Sequence, residues 1–269
     1  MKIVSICPSN TELLTYLGLE EKIVALDDYS DWPPQLQHLP RVGPDLSIRM
    51  DEVEALEPDL VVASLSVPGM EKNIEELEKR YLPYIVLNPS SLEEIGRDIL
   101  SLGQACGVEV QAKNVFYAYQ EQLNMFRQAA SQCKTTRRLY FEWWPKPIFT
   151  PGKKNWLTEV SELVGGTNVF ADVPLASIQT DGNDVINRNP DYICLVWVGV
   201  RTEKVQPAVV KKRAGWEQLE AVQNDRIYVL EEALFCRPSP RLFEGILKLG
   251  RLLHPEVYES VSLLPPFNR

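Results

Sequence analysis

Histidine is scarce in this chain of 269 residues, and several signatures of enzymes are absent from it. His38 and His254 are the only two histidines, and neither follows a predicted strand, which disfavours a Ser–His–Asp hydrolase. The sequence has no GxSxG, GxGxxG or GxxxxGK[ST] motif, so the local signatures of a nucleophile elbow, a dinucleotide site and a P-loop are missing. We therefore expect a protein without catalytic activity.

Positive charge and long apolar runs are also in short supply. Lys and Arg number 28 against 37 Asp and Glu, and the resulting net charge of −9 argues against nucleic-acid binding. No run approaches the roughly 20 apolar residues of a membrane span. The start of the chain shows no signal peptide and no lipid-anchor cysteine. We expect a cytoplasmic location for the sequence as written, and an extracytoplasmic one if a leader has been removed.

The five cysteines form no metal or disulfide pattern. They are scattered, odd in number and without a CxxC pair. This favours structural thiols over a disulfide or a metal site, so we expect no metal and no required cofactor.

One long helix is predicted in the middle of the chain, over Glu109–Gln132. Its apolar residues recur at spacings of three and four, which places them on one stripe, and no Gly or Pro interrupts it. The stripe consists of Ala112, Val115, Phe116, Tyr119, Leu123, Phe126 and Ala130. Gln122 is expected to lie outside it. Such a helix either packs on a single sheet or joins two lobes.

Strands alternate with helices on both sides of this helix. Apolar strands are predicted at 2–7, 22–26, 60–63, 84–87, 138–142, 192–196 and 226–230. Helices are predicted at 11–17 (capped by Asn10), 47–56 and 215–221, among others, and residues 151–154 as a tight turn. The alternation predicts an α/β protein with an N-terminal lobe at 1–108, a linking helix at 109–134 and a C-terminal lobe at 135–269.

The loops that follow the predicted strands are rich in aromatic residues. In open α/β sheets, ligands bind beyond the carboxyl ends of the strands. Flat apolar walls with a few polar groups suit a large, rigid, planar ligand. The candidates for these walls are Tyr29, Trp32, Trp144, Trp197 and Phe235, with Arg237 as a hydrogen-bond donor.

Three acidic residues near predicted helix starts have two interpretations. Glu71, Asp181 and Asp184 are favoured there by the helix dipole, which is the ordinary explanation. Alternatively, they form exposed acidic sites, one on each lobe, that meet arginines of a partner protein.

An ordered set of motifs resembles a known family. The segments IVSICPSNTE at 3–12, DYSDWPP at 28–34, GGTNVFAD at 165–172 and RPSPR at 237–241 are similar to those of the vitamin B12-binding proteins of ABC importers. These belong to the cobalamin, siderophore and haem class of substrate-binding proteins. The resemblance extends from about residue 2 to residue 250.

The resemblance implies two Rossmann-like lobes joined by a single long helix, the class III periplasmic-binding-protein fold, with the ligand between them and slight closure on binding. It implies ligand contacts at Tyr29, Trp32, Phe235 and Arg237, whereas family tryptophans are replaced by Ser64 or Leu65 and by Leu175. It also implies docking to ABC permease subunits through Glu71 and through Asp181 or Asp184, because the family's second glutamate falls near Asn183.

The sequence thus predicts a monomeric, non-catalytic binding protein whose ligand is cobalamin or a related corrinoid. Binding of a ferric siderophore or haem is the alternative within this class. A cytosolic protein that handles corrinoids without transport, or joins a protein assembly, is the alternative from another class.

Overall fold

The chain folds around two parallel four-stranded sheets, one on each side of the long helix. A computed structural model describes residues 1–268. The first sheet has the order β2-β1-β3-β4 and the second the order β11-β10-β5-β8, with every neighbouring pair parallel. A third, antiparallel sheet has the order β6-β7-β9. The strands are β1 Ile3–Ser5, β2 Ile23–Leu26, β3 Leu60–Ser64, β4 Tyr84–Leu87, β5 Arg137–Glu142, β6 Trp144–Pro145, β7 Ile148–Pro151, β8 Gly166–Asn168, β9 Ser177–Thr180, β10 Tyr192–Leu195 and β11 Ile227–Val229.

Helices connect these strands and cover the sheets, as expected for parallel pairing. They are α1 Pro8–Tyr16, α2 Met50–Ala55, α3 Glu71–Lys79, α4 Leu92–Ala105, α5 Glu109–Gln132, α6 Trp156–Leu163, α7 Gly182–Arg188, α8 Pro207–Lys211, α9 Glu220–Gln223, α10 Glu232–Phe235, α11 Leu242–Leu253 and α12 Pro255–Tyr258. The predicted α/β class and the two parallel sheets are confirmed. The strands of the first sheet all precede α5, and those of the second all follow it.

The long helix α5 has the predicted bounds and lies against α4 at very short range. A Cβ on Gly103 of α4 would stand 2.1 Å from the Cβ of Ala112 on α5, so only glycine permits this approach. Gln122, expected outside the apolar stripe, is buried. Its amide accepts from the Leu264 N–H at 2.7 Å and donates to the Ser262 carbonyl at 3.3 Å. The helix therefore holds the C-terminal segment by a polar contact that apolar periodicity does not predict.

The first helix begins earlier than predicted. Its N-cap is Cys7 and its first residue is Pro8, whereas the sequence suggested Asn10 as the cap. Proline fits the first helical position because its missing N–H would be unpaired there anyway. Glu12 lies within the helix, as predicted, but it is fully buried. The helices predicted at 47–56 and 215–221 are shorter, at Met50–Ala55 and Glu220–Gln223.

The antiparallel sheet after β5 was not predicted. The tight turn predicted at 151–154 is found at Lys153 and Lys154, whereas Pro151 ends β7 and pairs with Ser177 of β9. Its strands have only two to four residues, and Gly152 lies so close to the Leu175 carbonyl that a Cβ there would stand 2.3 Å from it. Strands this short, paired with a distant segment, carry little alternation for sequence reasoning to use.

The largest of three apolar clusters runs through both lobes and α5. It includes Ile3 of the first sheet, Leu139 of the second and Phe126 of the helix. The aromatic ring of Phe267 lies 5.5 Å from that of Tyr16 in α1 and 5.0 Å from that of Phe243 in α11. The C-terminal segment thus bridges the two lobes, although the sequence assigned it to the C-terminal lobe alone. No helix within residues 1–268 combines the length and apolarity needed to cross a membrane.

Candidate functional site

The carboxyl ends of the two parallel sheets face each other. Asp31 lies in the loop after β2, and Arg237 follows β11 and α10. The Arg237 Nη1 donates to Asp31 Oδ1 at 2.5 Å, which joins the two loops directly. Strand-end loops of the two lobes therefore meet where the strand-end rule predicts a ligand site.

A set of charged and polar side chains, which we call the interlobe cluster, lies at the contact between the lobes. Its centre is Glu12 of α1, whose side chain is 1% exposed. Glu12 Oε1 accepts from Arg241 Nη1 at 3.0 Å and from Arg237 Nη1 at 3.3 Å, and Oε2 accepts from the Ser239 hydroxyl. Arg237 also contacts Glu232 of its own lobe, with Nη2 3.2 Å from Oε2. The cluster consists of Glu12, Asp31, Glu232, Arg237, Ser239 and Arg241.

Burial and charge act against each other in the interlobe cluster. Burial raises the pKa of the Glu12 carboxyl, while Arg241 and Arg237 oppose that shift. Burial also raises the pKa of Glu232. For Arg237, burial alone would lower the pKa of the guanidinium. The neighbouring Glu232, Asp31 and Glu12 outweigh burial, so the pKa is raised above its ordinary value. Arg237 therefore stays protonated, and its charge is already balanced within the protein.

Two further acids lie near the interlobe cluster on the N-terminal side. Asp27 follows β2, and burial raises the pKa of its carboxyl to about 6 while the Ser30 hydroxyl donates to it at 2.5 Å. Asp45 is also raised in pKa by burial, and its charge acts on Glu232 across the lobes. Arg41 donates to the carbonyls of Asp27 and Ser30 at 2.8 and 2.7 Å. Acidic groups outnumber arginines at this part of the cleft.

Three of the predicted ligand contacts are exposed. The exposed fraction is 54% for Tyr29, 42% for Trp144 and 53% for Leu175. Tyr29 follows β2, Trp144 begins β6, and Leu175 precedes β9. The Trp144 indole N–H donates to the Lys146 carbonyl at 3.0 Å, which fixes the ring while leaving much of it uncovered. These residues are able to offer apolar surface to a ligand.

Two other predicted contacts are buried in the C-terminal lobe. Phe235 is 1% exposed, and its carbonyl accepts from the Trp156 indole at 2.8 Å. Trp197 is 9% exposed, and its indole donates to Glu142 Oε1 at 3.1 Å. Both rings are buried in this structure, and their role in a ligand wall stays a prediction.

A second buried ion pair explains the position of Trp197. Glu142, at the end of β5, is fully buried and pairs with Arg213 at 2.5 and 2.8 Å. The Tyr140 hydroxyl donates to the same carboxylate at 2.8 Å. The Arg213 guanidinium lies 4.6 Å from the centre of the Trp216 ring. Trp197 is therefore one of several donors that satisfy a buried carboxylate inside one lobe.

The remaining predicted contacts are partly or fully covered. Trp32 packs on Tyr16 with ring centres 5.4 Å apart, and Arg241 lies 5.0 Å from its centre. Ser64 is buried and its hydroxyl donates to that of Ser66 at 2.9 Å, while Leu65 is partly exposed. Each of these side chains presents less surface to the cleft than the sequence suggested.

Arg237 was expected to donate to the ligand, but the structure engages it elsewhere. Its Nη1 serves Asp31 and Glu12, and its Nε and Nη2 lie 3.3 and 3.2 Å from Glu232. A ligand would have to displace a carboxylate to reach this guanidinium. Sequence reasoning missed Glu12 and Arg241 as partners, although both belong to the motifs that carry the resemblance.

The three candidate docking acids differ in how many hydrogen bonds and ion pairs they already form within the chain. Glu71 is exposed and accepts from the Gly69 N–H at 2.7 Å. Asp181 is the exposed N-cap of α7, and its Oδ1 accepts from two N–H groups. Asp184 accepts from Arg188 at 2.9 Å and from Thr180 at 2.9 Å. Asp181 is thus the less occupied acid of the second lobe, at a surface depression that Gln179 also lines.

The chain is similar to binding proteins of ABC importers over nearly its whole length. An uncharacterized ABC transporter substrate-binding lipoprotein of Bacillus subtilis is 29% identical over 264 residues, which is 96% of this chain and 82% of the relative. The structure of the periplasmic vitamin B12-binding protein BtuF of Vibrio cholerae is 25% identical, with a TM-score of 0.77 and coverage of 97% and 98%. The periplasmic haem-binding protein HutB of Vibrio cholerae, 21% identical, has a TM-score of 0.81 with coverage of 95% and 99%, so fold alone does not separate these ligands.

These comparisons correct the expected location and settle the class of protein. The cytoplasmic location inferred from the start of the chain is wrong, because the relatives are a lipoprotein and periplasmic proteins, which act outside the cytoplasm. The sequence profile described as periplasmic binding protein matches residues 3–234. The chain belongs to the periplasmic binding protein family.

Proposed function

We propose that this chain is the substrate-binding component of an ABC-type importer and captures cobalamin or a related corrinoid between its lobes, without catalysis. The vitamin B12-binding protein of Vibrio cholerae matches 97% of the chain, which supports both the class and the ligand. The exposed Tyr29, Trp144 and Leu175 supply apolar surface on both lobes for a large rigid ring system.

The charge around the interlobe cluster is the main observation that favours a corrinoid over haem. Carboxylates exceed arginines there, and Arg237 is already neutralised by its neighbours. Haem carries two propionates, which would be repelled by these carboxylates and would find no free guanidinium. A corrinoid presents neutral amides around its ring, so it avoids this repulsion. The acidic side chains are Glu12, Asp27, Asp31, Asp45 and Glu232, against the basic Arg41, Arg237 and Arg241.

The histidines point in the same direction. His38 lies in the loop after β2 with its ring against the Gln35 carbonyl, and His254 is buried beside Gly165. Neither imidazole is placed to ligate a haem iron in the cleft. This second observation again favours a ligand whose metal already carries its own axial groups.

Titration with matched ligands tests the assignment. We expect cyanocobalamin to release or absorb heat and to bind with a dissociation constant well below 100 μM, while haemin does not bind specifically. A ferric hydroxamate siderophore serves as the third ligand. If no corrinoid gives heat or a spectral change up to about 100 μM, near −5.5 kcal/mol, the corrinoid assignment fails. Specific binding of haemin or of the siderophore alone would reassign the ligand.

For the permease we propose docking through Glu71 on the N-terminal lobe and Asp181 on the C-terminal lobe. Both are exposed, and Asp181 keeps a carboxylate oxygen beyond its helix cap, whereas Asp184 is paired with Arg188. Complementary charges across such a contact govern encounter and register.

Charge reversal tests this docking surface. Glu71→Lys combined with Asp181→Lys is expected to abolish cobalamin uptake by cells that carry the natural permease, while ligand titration stays unchanged. The control is Glu21→Lys combined with Glu259→Lys, which alters net charge equally at exposed sites outside α3 and α7. Equal uptake by both double variants would refute the docking proposal and leave the ligand assignment standing.

A further inference from the structure

The interlobe cluster places three donors of one lobe on one carboxylate of the other. Arg237, Ser239 and Arg241 all come from the segment between α10 and α11, and all reach Glu12 of α1. Asp31 adds a second carboxylate of the N-terminal lobe, at 2.5 and 3.3 Å from Arg237. Hydrogen bonds to charged groups are short and directional, so this contact specifies a distance and an angle between the lobes.

The other connections between the lobes are less directional. The helix α5 links them covalently, and the ring of Phe267 packs between Tyr16 and Phe243. Apolar packing resists separation, but it is not directional and permits small rotations more readily than a network of charged hydrogen bonds does. The orientation of the lobes therefore depends on the interlobe cluster more than on the apolar contacts beside it.

A buried ion pair is weak support for stability, because desolvation cancels much of its attraction. The C-terminal lobe offers a comparison of the same chemistry. Glu142 and Arg213 are similarly buried and hydrogen-bonded, but both belong to one lobe. Glu12 can therefore affect the orientation of the lobes, whereas Glu142 cannot.

We propose that Glu12 is a positioning residue, which with Asp31, Arg237, Ser239 and Arg241 holds the empty cleft at the width that receives the ligand. This goes beyond the proposed function, since it concerns the protein before any ligand arrives. When the lobes are already oriented, ligand binding does not have to supply the free energy of ordering them. Affinity is also higher, because no fraction of the empty protein is in a conformation that cannot bind the ligand.

The lobe-to-lobe distance in the empty protein tests this role. Keto amino acids at the exposed Lys72 and Lys153, one on each lobe, accept spin labels without use of the native cysteines. Double electron–electron resonance then gives the distance distribution. We expect a single narrow distribution in the unaltered protein, and at least a twofold broader one, displaced to longer distances, in Glu12→Gln.

Glu142→Gln is the matched control. It removes a buried carboxylate charge of the same kind, so it is expected to lower stability comparably while keeping the narrow distribution. Equal broadening in both variants would show a general loss of packing and would overturn the positioning role. A distribution in Glu12→Gln as narrow as that of the unaltered protein would overturn it as well.

Asp31→Asn provides a second variant, which is expected to fold normally because the Asp31 side chain is 62% exposed. It removes the other N-terminal anchor of Arg237 and is expected to broaden the distribution to a smaller extent than Glu12→Gln. If Glu12→Gln fails to fold, an unchanged distribution in Asp31→Asn refutes the proposal. These measurements use no ligand, so failure of cyanocobalamin binding would contradict the proposed function and leave this inference untouched.

Discussion

The two lobes place aromatic residues after their parallel strands in opposite ways. Tyr29 follows β2 of the N-terminal lobe and is 54% exposed, whereas Trp197 follows β10 of the C-terminal lobe and is 9% exposed. The difference depends on whether a buried hydrogen-bond acceptor lies beneath the aromatic ring. Trp197 has a buried acceptor in Glu142, while Tyr29 has no comparable partner among the described contacts. Position after a strand therefore does not by itself make a residue a ligand contact.

One acid in each lobe shows the same difference in available hydrogen-bond partners. Glu142 in the C-terminal lobe receives hydrogen bonds from Tyr140, Trp197 and Arg213. Asp98 on α4 of the N-terminal lobe has an Oδ2 that is shielded from water and without a hydrogen-bond partner. Glu142 is thus satisfied within the protein and Asp98 is not, which predicts opposite effects when each acid is altered.

Replacement of Trp197 gives the largest expected effect. Trp197→Ala removes a buried ring and a donor to Glu142, so we expect the free energy of unfolding in urea to fall by about 3–5 kcal/mol. Tyr29→Ala is the control and should change it by about 0.5 kcal/mol or less. A loss below about 1 kcal/mol for Trp197→Ala would show that this ring is not part of the core and lies at the cleft surface.

Replacement of Asp98 should stabilise the protein, with a dependence on pH. Burial, and then the nearby charge of Glu94, raises the pKa of the Asp98 carboxyl to about 7 from an ordinary value of 3.8. The folded state thus keeps a proton that the unfolded state loses, so this group's contribution to stability falls as pH rises from about 4 to 7.

We therefore expect Asp98→Asn to raise the free energy of unfolding by about 1–2 kcal/mol at pH 8, allowing for solvent screening of this partly exposed group. At pH 4 the gain should vanish. Urea titrations at both pH values measure it, and an equal gain at both would show that the removed charge is not the cause. Glu142→Gln should destabilise at pH 8, which is the opposite sign.

The smallest expected effect concerns the ligand. Tyr29→Ala removes exposed aromatic surface, so we expect cyanocobalamin to bind about tenfold more weakly, a change of about 1.4 kcal/mol, with stability unchanged. Calorimetric titration measures it, with Tyr81→Ala, an exposed tyrosine away from the cleft, as the control. Equal affinities of the two variants for cyanocobalamin would show that Tyr29 does not contact the ligand.

Local patterns sufficed for the elements but not for the contacts between them. The helix α5 has the predicted bounds because a stripe of 24 residues without Gly or Pro leaves no competing structure. The partners Glu12 and Arg241 are separated by 229 residues, and no periodicity links them. The burial of Phe235 and Trp197 was not predicted, because the sequence shows that a loop is aromatic, but not whether a buried acceptor or core lies beneath it.

The position of Phe267 has a consequence for the synthesis of the chain. The first sheet is complete once Leu87 has emerged, and the second once Val229 has emerged. The interlobe cluster needs Arg241, and the junction among Tyr16, Phe243 and Phe267 needs Phe267, and both follow the last strand of either parallel sheet. Since domains fold largely in the order of their synthesis, the N-terminal lobe is formed long before its orientation is fixed. Each lobe can thus complete its parallel sheet on the ribosome before the residues that align the two lobes have been made.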